Sequence, residues 1–84
     1  MTDDEIRQVV LRLLAQVAPE ADMSAIRPDV RLRDQIDIDS MDALNFLISI
    51  DAEMHVDIPE ADYPKLTTLD NIVAYLADAL AARR

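Results

Sequence analysis

Ser40 is the residue best placed to do chemistry, in the run Asp37-Ile38-Asp39-Ser40-Met41-Asp42, where a polar stretch gives way to the apolar segment 41–50. A serine at that junction opens a helix with its hydroxyl at the positive end of the dipole, a setting that favours a phosphate. The same pattern also describes a plain helix cap, and taken alone the Asp-Ser pair reads as one. Nucleophilic catalysis needs a base against the serine, but the single histidine, His55, falls at the far end of the same helix. About four helical turns lie between them, too far for proton transfer. His55 reads instead as the residue closing that helix, its charged form suiting the negative end. Asp37, Asp39 and Asp42 lack the glycine and the bidentate glutamate of a calcium loop, so no metal site is expected. The carboxylates have no room for a glycosidase cleft.

Composition narrows the classes further. The chain has 84 residues, read as one domain over 1–84, with 51% hydrophobic residues but only Phe46, Tyr63 and Tyr75 aromatic. It contains no glycine, which argues against tight hairpins and phosphate-cradling loops, and no cysteine, which removes disulfides and thiolate metal sites. Any thiol chemistry must come from an attached group. The longest apolar run is too short to insert in a membrane, and the acidic start is unlike a signal peptide, so a cytoplasmic protein is expected. Net charge is −9, and from Asp34 to Asp62 nine acids stand with no Lys or Arg. That field repels nucleic acid and attracts basic protein patches, although a solvated face has the same composition.

The elements that must position Ser40 are helices. Thr2 and Glu5 form a capping box ahead of Ile6, Val9, Val10, Leu13, Leu14 and Val17, and Pro19 ends that helix. A long connection runs from Pro19 to Asp39, with a local turn expected near Met23 to Ile26. Ile26, Val30, Leu32, Ile36 and Ile38 are expected to pin it to the core. The second helix starts at Asp39 or Ser40 and runs to about Met54. Its predicted core stripe is Met41, Leu44, Leu47, Ile48 and Met54, with Phe46 and Ile50 widening the arc. Pro59 fits the first turn of a short helix through Tyr63 that Pro64 cuts off. The last helix is capped by Thr67 or Thr68, with Asp70 in its first turn and a stripe of Leu69, Ile72, Val73, Leu76 and Leu80. Arg83 and Arg84 suit its negative end. The fold class is all-α: three longer helices, one short helix and a long first loop.

Four segments together resemble the acyl carrier protein family: Asp39-Ser40-Met41-Asp42, the acidic helix after it, Asp57-Ile58-Pro59-Glu60-Ala61-Asp62, and Leu66-Thr67-Thr68-Leu69. Counted from Ser40, the Ile-Pro and Thr-Thr pairs fall at the family's spacing, and the resemblance spans roughly Ile6 to Leu80. It implies a small acyl-carrier-like bundle in which Ser40 carries phosphopantetheine, moved from coenzyme A by a phosphopantetheinyl transferase. The arm supplies the missing thiol, acyl groups ride on it as thioesters, and the protein itself catalyses nothing. Partners are then enzymes that load and transfer acyl or aminoacyl groups through basic patches, met by Asp39, Asp42, Asp51 and Glu53 on a monomer. The apolar positions matching the family's acyl pocket are Leu32, Phe46, Leu47, Ile50, Ile58 and Leu66, which equally read as ordinary core.

The chain departs from fatty acid carriers at Asp37, where glycine is common, and at Asn45 and Ala52, where glutamate is common; Phe46 replaces a smaller aliphatic. These changes favour a free-standing, specialised carrier serving fatty acid, lipid or related biosynthesis. The alternatives are a carrier of aminoacyl or polyketide intermediates, and an unmodified acidic adaptor that uses Ser40 only as a cap.

Overall fold

The computed structural model describes residues 1–82, so the proposed match of Arg83 and Arg84 to a helix end lies outside the described residues. Four α-helices form there: α1 Asp3–Val17, α2 Leu32–Gln35, α3 Ser40–Met54 and α4 Leu69–Ala81. Short 3₁₀ segments, Met23–Ala25 and Glu60–Lys65, lie in the first and last connections. The predicted caps form. Thr2 accepts from the Glu5 N–H while the Glu5 carboxylate accepts from the Thr2 N–H, which holds the Glu5 carboxyl below its usual range. At α4 the cap is Thr68, accepting from the Asn71 N–H.

The core is built from the expected faces of α1 and α4. Ile6, Val10, Leu13 and Leu14 are buried on one, and Leu69, Ile72, Val73 and Leu76 on the other. α1 packs against both α4 and α3. On α3 the expected inner face is corrected. Phe46, Leu47, Ile50 and Met54 are buried, whereas Met41, Leu44 and Ile48 are 63%, 37% and 51% exposed. At about 100° per residue these two sets are centred roughly 140° apart. An apolar arc this wide offers two inner faces, and the large Phe46 side chain is the one the core takes.

The long connection contains a helical turn, α2, that no cap signal announced: its N-cap Arg31 makes no side-chain hydrogen bond. Leu32 and Ile38 are buried, and Ile26 and Ile36 are half-buried against the core, as expected. Gln35 ties the connection internally, its amide donating to the carbonyls of Arg27 and Val30 and accepting from the Arg27 N–H. The connection is also sewn to the start of α4. The Leu32 N–H donates to the Thr67 carbonyl at 2.9 Å, and the Asp70 N–H to the Pro28 carbonyl at 3.0 Å.

The second correction concerns Pro64, which lies inside the 3₁₀ segment rather than ending it; Pro59 is the N-cap. The tighter 3₁₀ spiral bonds over three residues, so the clash of a proline ring with the carbonyl four residues back does not arise.

Candidate functional site

Ser40 is the first residue of α3, but it does not cap the helix. The cap is Asp39, whose carboxylate accepts from the Asp42 N–H at 2.8 Å while Asp42 accepts from the Asp39 N–H at 3.3 Å. This reciprocal box does what the serine hydroxyl would otherwise do. Ser40 is exposed, and among the described residues its hydroxyl makes no hydrogen bond. Its position is set by the helix while its oxygen stays available for reaction.

Beside it lies a cavity of about 320 Å³ between α3, the first loop and the 3₁₀ segment. Ser40, Ala43 and Leu47 form one wall, with Leu32, Phe46 and Leu66 lining its apolar interior. Four of the six expected pocket residues therefore line it. Ile50 and Ile58 do not; both are buried in the main core cluster instead. Tyr63 and Pro64 close one side, and Arg31 and Arg33 stand on the loop side. The signal for these arginines was in plain view: they flank Leu32, the residue the loop buries.

The 3₁₀ wall is braced from α4. The Tyr75 hydroxyl donates to the Asp62 carboxylate at 2.7 Å, and Lys65 adds an ion pair at 3.3 Å. The tyrosine hydrogen bond and then the lysine hold the Asp62 carboxyl below its usual range. The same bond, with partial burial, pushes the Tyr75 phenol up to about 12.

All four acids expected to dock partners also have work inside the molecule. Asp39 and Asp42 make the capping box. Asp51 accepts from the Ile58 N–H at 3.1 Å and so holds the turn after α3. Glu53 pairs with Arg12 of α1. His55 closes α3 with its backbone rather than its ring: φ is 54° and ψ 40°, and its N–H donates to the Asp51 carbonyl. Among the described residues no group of three His, Cys, Asp or Glu side chains is arranged to hold a metal ion, and no helix is long and apolar enough to cross a membrane.

A family model described as a phosphopantetheine attachment site matches residues 5–76. The chain belongs to the acyl carrier protein family. The acyl carrier protein of Streptomyces coelicolor is 33% identical over 79 residues, covering 94% of this chain and 82% of that protein. That of Rickettsia canadensis is 29% identical over 77 residues, covering 92% of this chain and 88% of the relative. The fold also matches a solved structure of the Enterococcus faecalis acyl carrier protein, with a TM-score of 0.78, 20% identity and coverage of 94% and 99% of the two chains. Acyl carrier proteins carry rather than catalyse, and their prosthetic group is phosphopantetheine. This carrier's residues fit that group: an exposed, unbonded serine hydroxyl opens onto a largely apolar cavity.

Proposed function

We propose that Ser40 is the phosphopantetheine attachment point and that this carrier presents acyl intermediates of fatty acid, lipid or related biosynthesis to partner enzymes in the cytoplasm. The observation that carries the reading is the division of tasks at the start of α3, where Asp39 caps and leaves the Ser40 hydroxyl without a structural duty. The adaptor alternative left Ser40 only a capping role, and Asp39 fills that role instead. When bound, the group supplies a terminal thiol on which acyl cargo is held as a thioester. The chain's own residues hold the attachment oxygen at a helix end, line a shelter for cargo and present a face to partners.

The cavity supports an acyl cargo over a bare aminoacyl one. Its volume sits at the lower end of the roughly 300–1,000 Å³ typical of ligand sites, and Leu32, Phe46, Leu47 and Leu66 give it an apolar lining. For docking, Asp39, Asp42, Asp51 and Glu53 keep their proposed part as a negative field that speeds encounter, weak and salt-sensitive as befits a carrier that must leave each enzyme. The exposed stripe of Met41, Leu44 and Ile48 beside them supplies the apolar contact.

The test is intact mass after incubation with coenzyme A, magnesium and a promiscuous phosphopantetheinyl transferase. One added phosphopantetheine, abolished by Ser40→Ala, is expected; no gain where a control carrier is modified would sink the reading. Because every docking acid has an internal partner, the docking face is better probed at Ile48. Ile48→Ser is expected to slow modification or loading severalfold with an unchanged thermal midpoint.

A further inference from the structure

Phosphate on Ser40 would meet opposing electrostatic influences. The dipole of α3 offers the equivalent of about half a positive charge at its first turn. The capping box places two carboxylates, Asp39 and Asp42, at that same turn, and their oxygens already hold the N–H groups of both residues. Two full negative charges outweigh half a positive one. A phosphodiester there adds a third negative charge; water solvates it at this exposed site, and a cation close by would be drawn to it.

Two basic residues line the cavity along with Ser40: Arg31, the N-cap of α2, and Arg33, within α2. Among the described residues the ion pairs are Arg7–Asp70, Arg12–Glu53 and Lys65–Asp62, and neither Arg31 nor Arg33 takes part in one. Both are exposed, and their backbone is held by the bridge from Arg31 to Thr68, which fixes where the side chains start. A guanidinium presents a planar fork of donors that suits phosphate oxygens. The diester is bonded to one residue of this cavity, and both forks rise from others.

Resting on the assignment of Ser40 as the attachment point, we propose that Arg31 and Arg33 seat the phosphodiester carried on Ser40 and so lay the first part of the arm along the cavity. The arm then starts each cycle directed towards the apolar shelter, and a partner enzyme with its own basic patch competes for the phosphate when it draws the arm out. The seat is exposed, so it is weak and released by salt.

The experiment compares apo and holo protein, labelled with nitrogen-15, through the side-chain Nε resonances of Arg31 and Arg33 and the phosphorus resonance of the diester. Arg27, on the same loop but outside the cavity lining, serves as the internal control. At low salt the Arg31 and Arg33 signals are expected to shift on conversion to holo while Arg27 stays. Most of that shift should vanish near 1 M salt, where the screening length falls to about 3 Å. In the double variant Arg31→Gln, Arg33→Gln the phosphorus resonance should move to its value in the urea-unfolded holo protein. Coincident apo and holo arginine signals, or a phosphorus resonance indifferent to the double variant, would overturn the proposal. So would arginine signals that move only when a carboxylate-bearing acyl group is loaded, since the seat would then belong to the cargo. Failure to add the arm at all overturns the Ser40 assignment together with the seat, whereas a modified protein with unmoved arginines overturns the seat alone.

Discussion

Exchanging Asp39 and Ser40 for alanine, one at a time, separates helix capping from cargo attachment. Asp39→Ala removes the acceptor of the 2.8 Å bond from the Asp42 N–H and leaves that first-turn donor to water. Loss of an N-cap side chain costs about 1 kcal/mol, within a range of roughly 0.5–2. An unfolding entropy near 2.1 cal/mol/K per residue amounts to about 0.18 kcal/mol/K for a chain of this length, so the midpoint should fall by about 6 °C. Ser40→Ala removes a hydroxyl that bonds to nothing among the described residues and installs a better helix former, so the midpoint should hold or rise by up to about 3 °C. Asp39→Asn keeps the acceptor and should remain near the parent. Thermal melts of the apo proteins by circular dichroism give the stabilities, and intact mass after transferase treatment gives the attachment. Asp39→Ala should melt early yet still gain the arm, and Ser40→Ala should melt normally and never gain it. A Ser40→Ala midpoint as low as that of Asp39→Ala would refute the division of tasks.

The left-handed backbone at His55 costs about 1 kcal/mol that glycine would not, so His55→Gly should raise the midpoint by about 4–8 °C in the same melts. Stability should also follow the Asp62–Tyr75 bond at both pH extremes. Since the folded Asp62 carboxyl is lowered, its contribution is complete above the unfolded value of about 3.9 and is lost as pH falls through the folded one. Tyr75, raised to about 12, contributes fully below the unfolded value and loses that contribution as pH climbs towards 12. Tyr75→Phe should flatten both limbs of a pH–stability curve from urea melts; unchanged limbs would remove the bond from the account. Asp51→Ala strands the half-buried Ile58 N–H and should cost about 1 kcal/mol in urea melts, whereas Asp51→Asn, which keeps an acceptor, should cost less.

The parts of the fold legible in the sequence were those written in local chemistry. Thr2 with Glu5, a threonine cap at Thr67 or Thr68 (Thr68 in the structure), and the apolar spacing of α1 and α4 specify helix starts and faces with no need of distant partners. The family was legible through the spacing of Ser40 to Ile58-Pro59 and Thr67-Thr68, and the family match over residues 5–76 bears that out. The inner face of α3 was not, because Met41, Leu44 and Ile48 are as apolar as Phe46, Leu47 and Ile50, and only the packing of α1 chooses between them. Pro64 misled because its helix-ending rule belongs to the α geometry. The internal tasks of Asp51 and Glu53 depend on Ile58 and Arg12, partners that the fold brings and the acidic pattern does not announce.

The stitching of the first loop to the start of α4 has a mechanical consequence. The two backbone bonds, Leu32 to Thr67 and Asp70 to Pro28, join the loop side of the cavity to the α4 side as one piece. Among the described residues no backbone hydrogen bond crosses from α3 to α1 or α4, so the serine-bearing wall is held there by apolar contact and the Arg12–Glu53 pair. Apolar surfaces can slide past one another without breaking a directional bond. The cavity is a seam with backbone hydrogen bonds along one edge and only side-chain contact along the other.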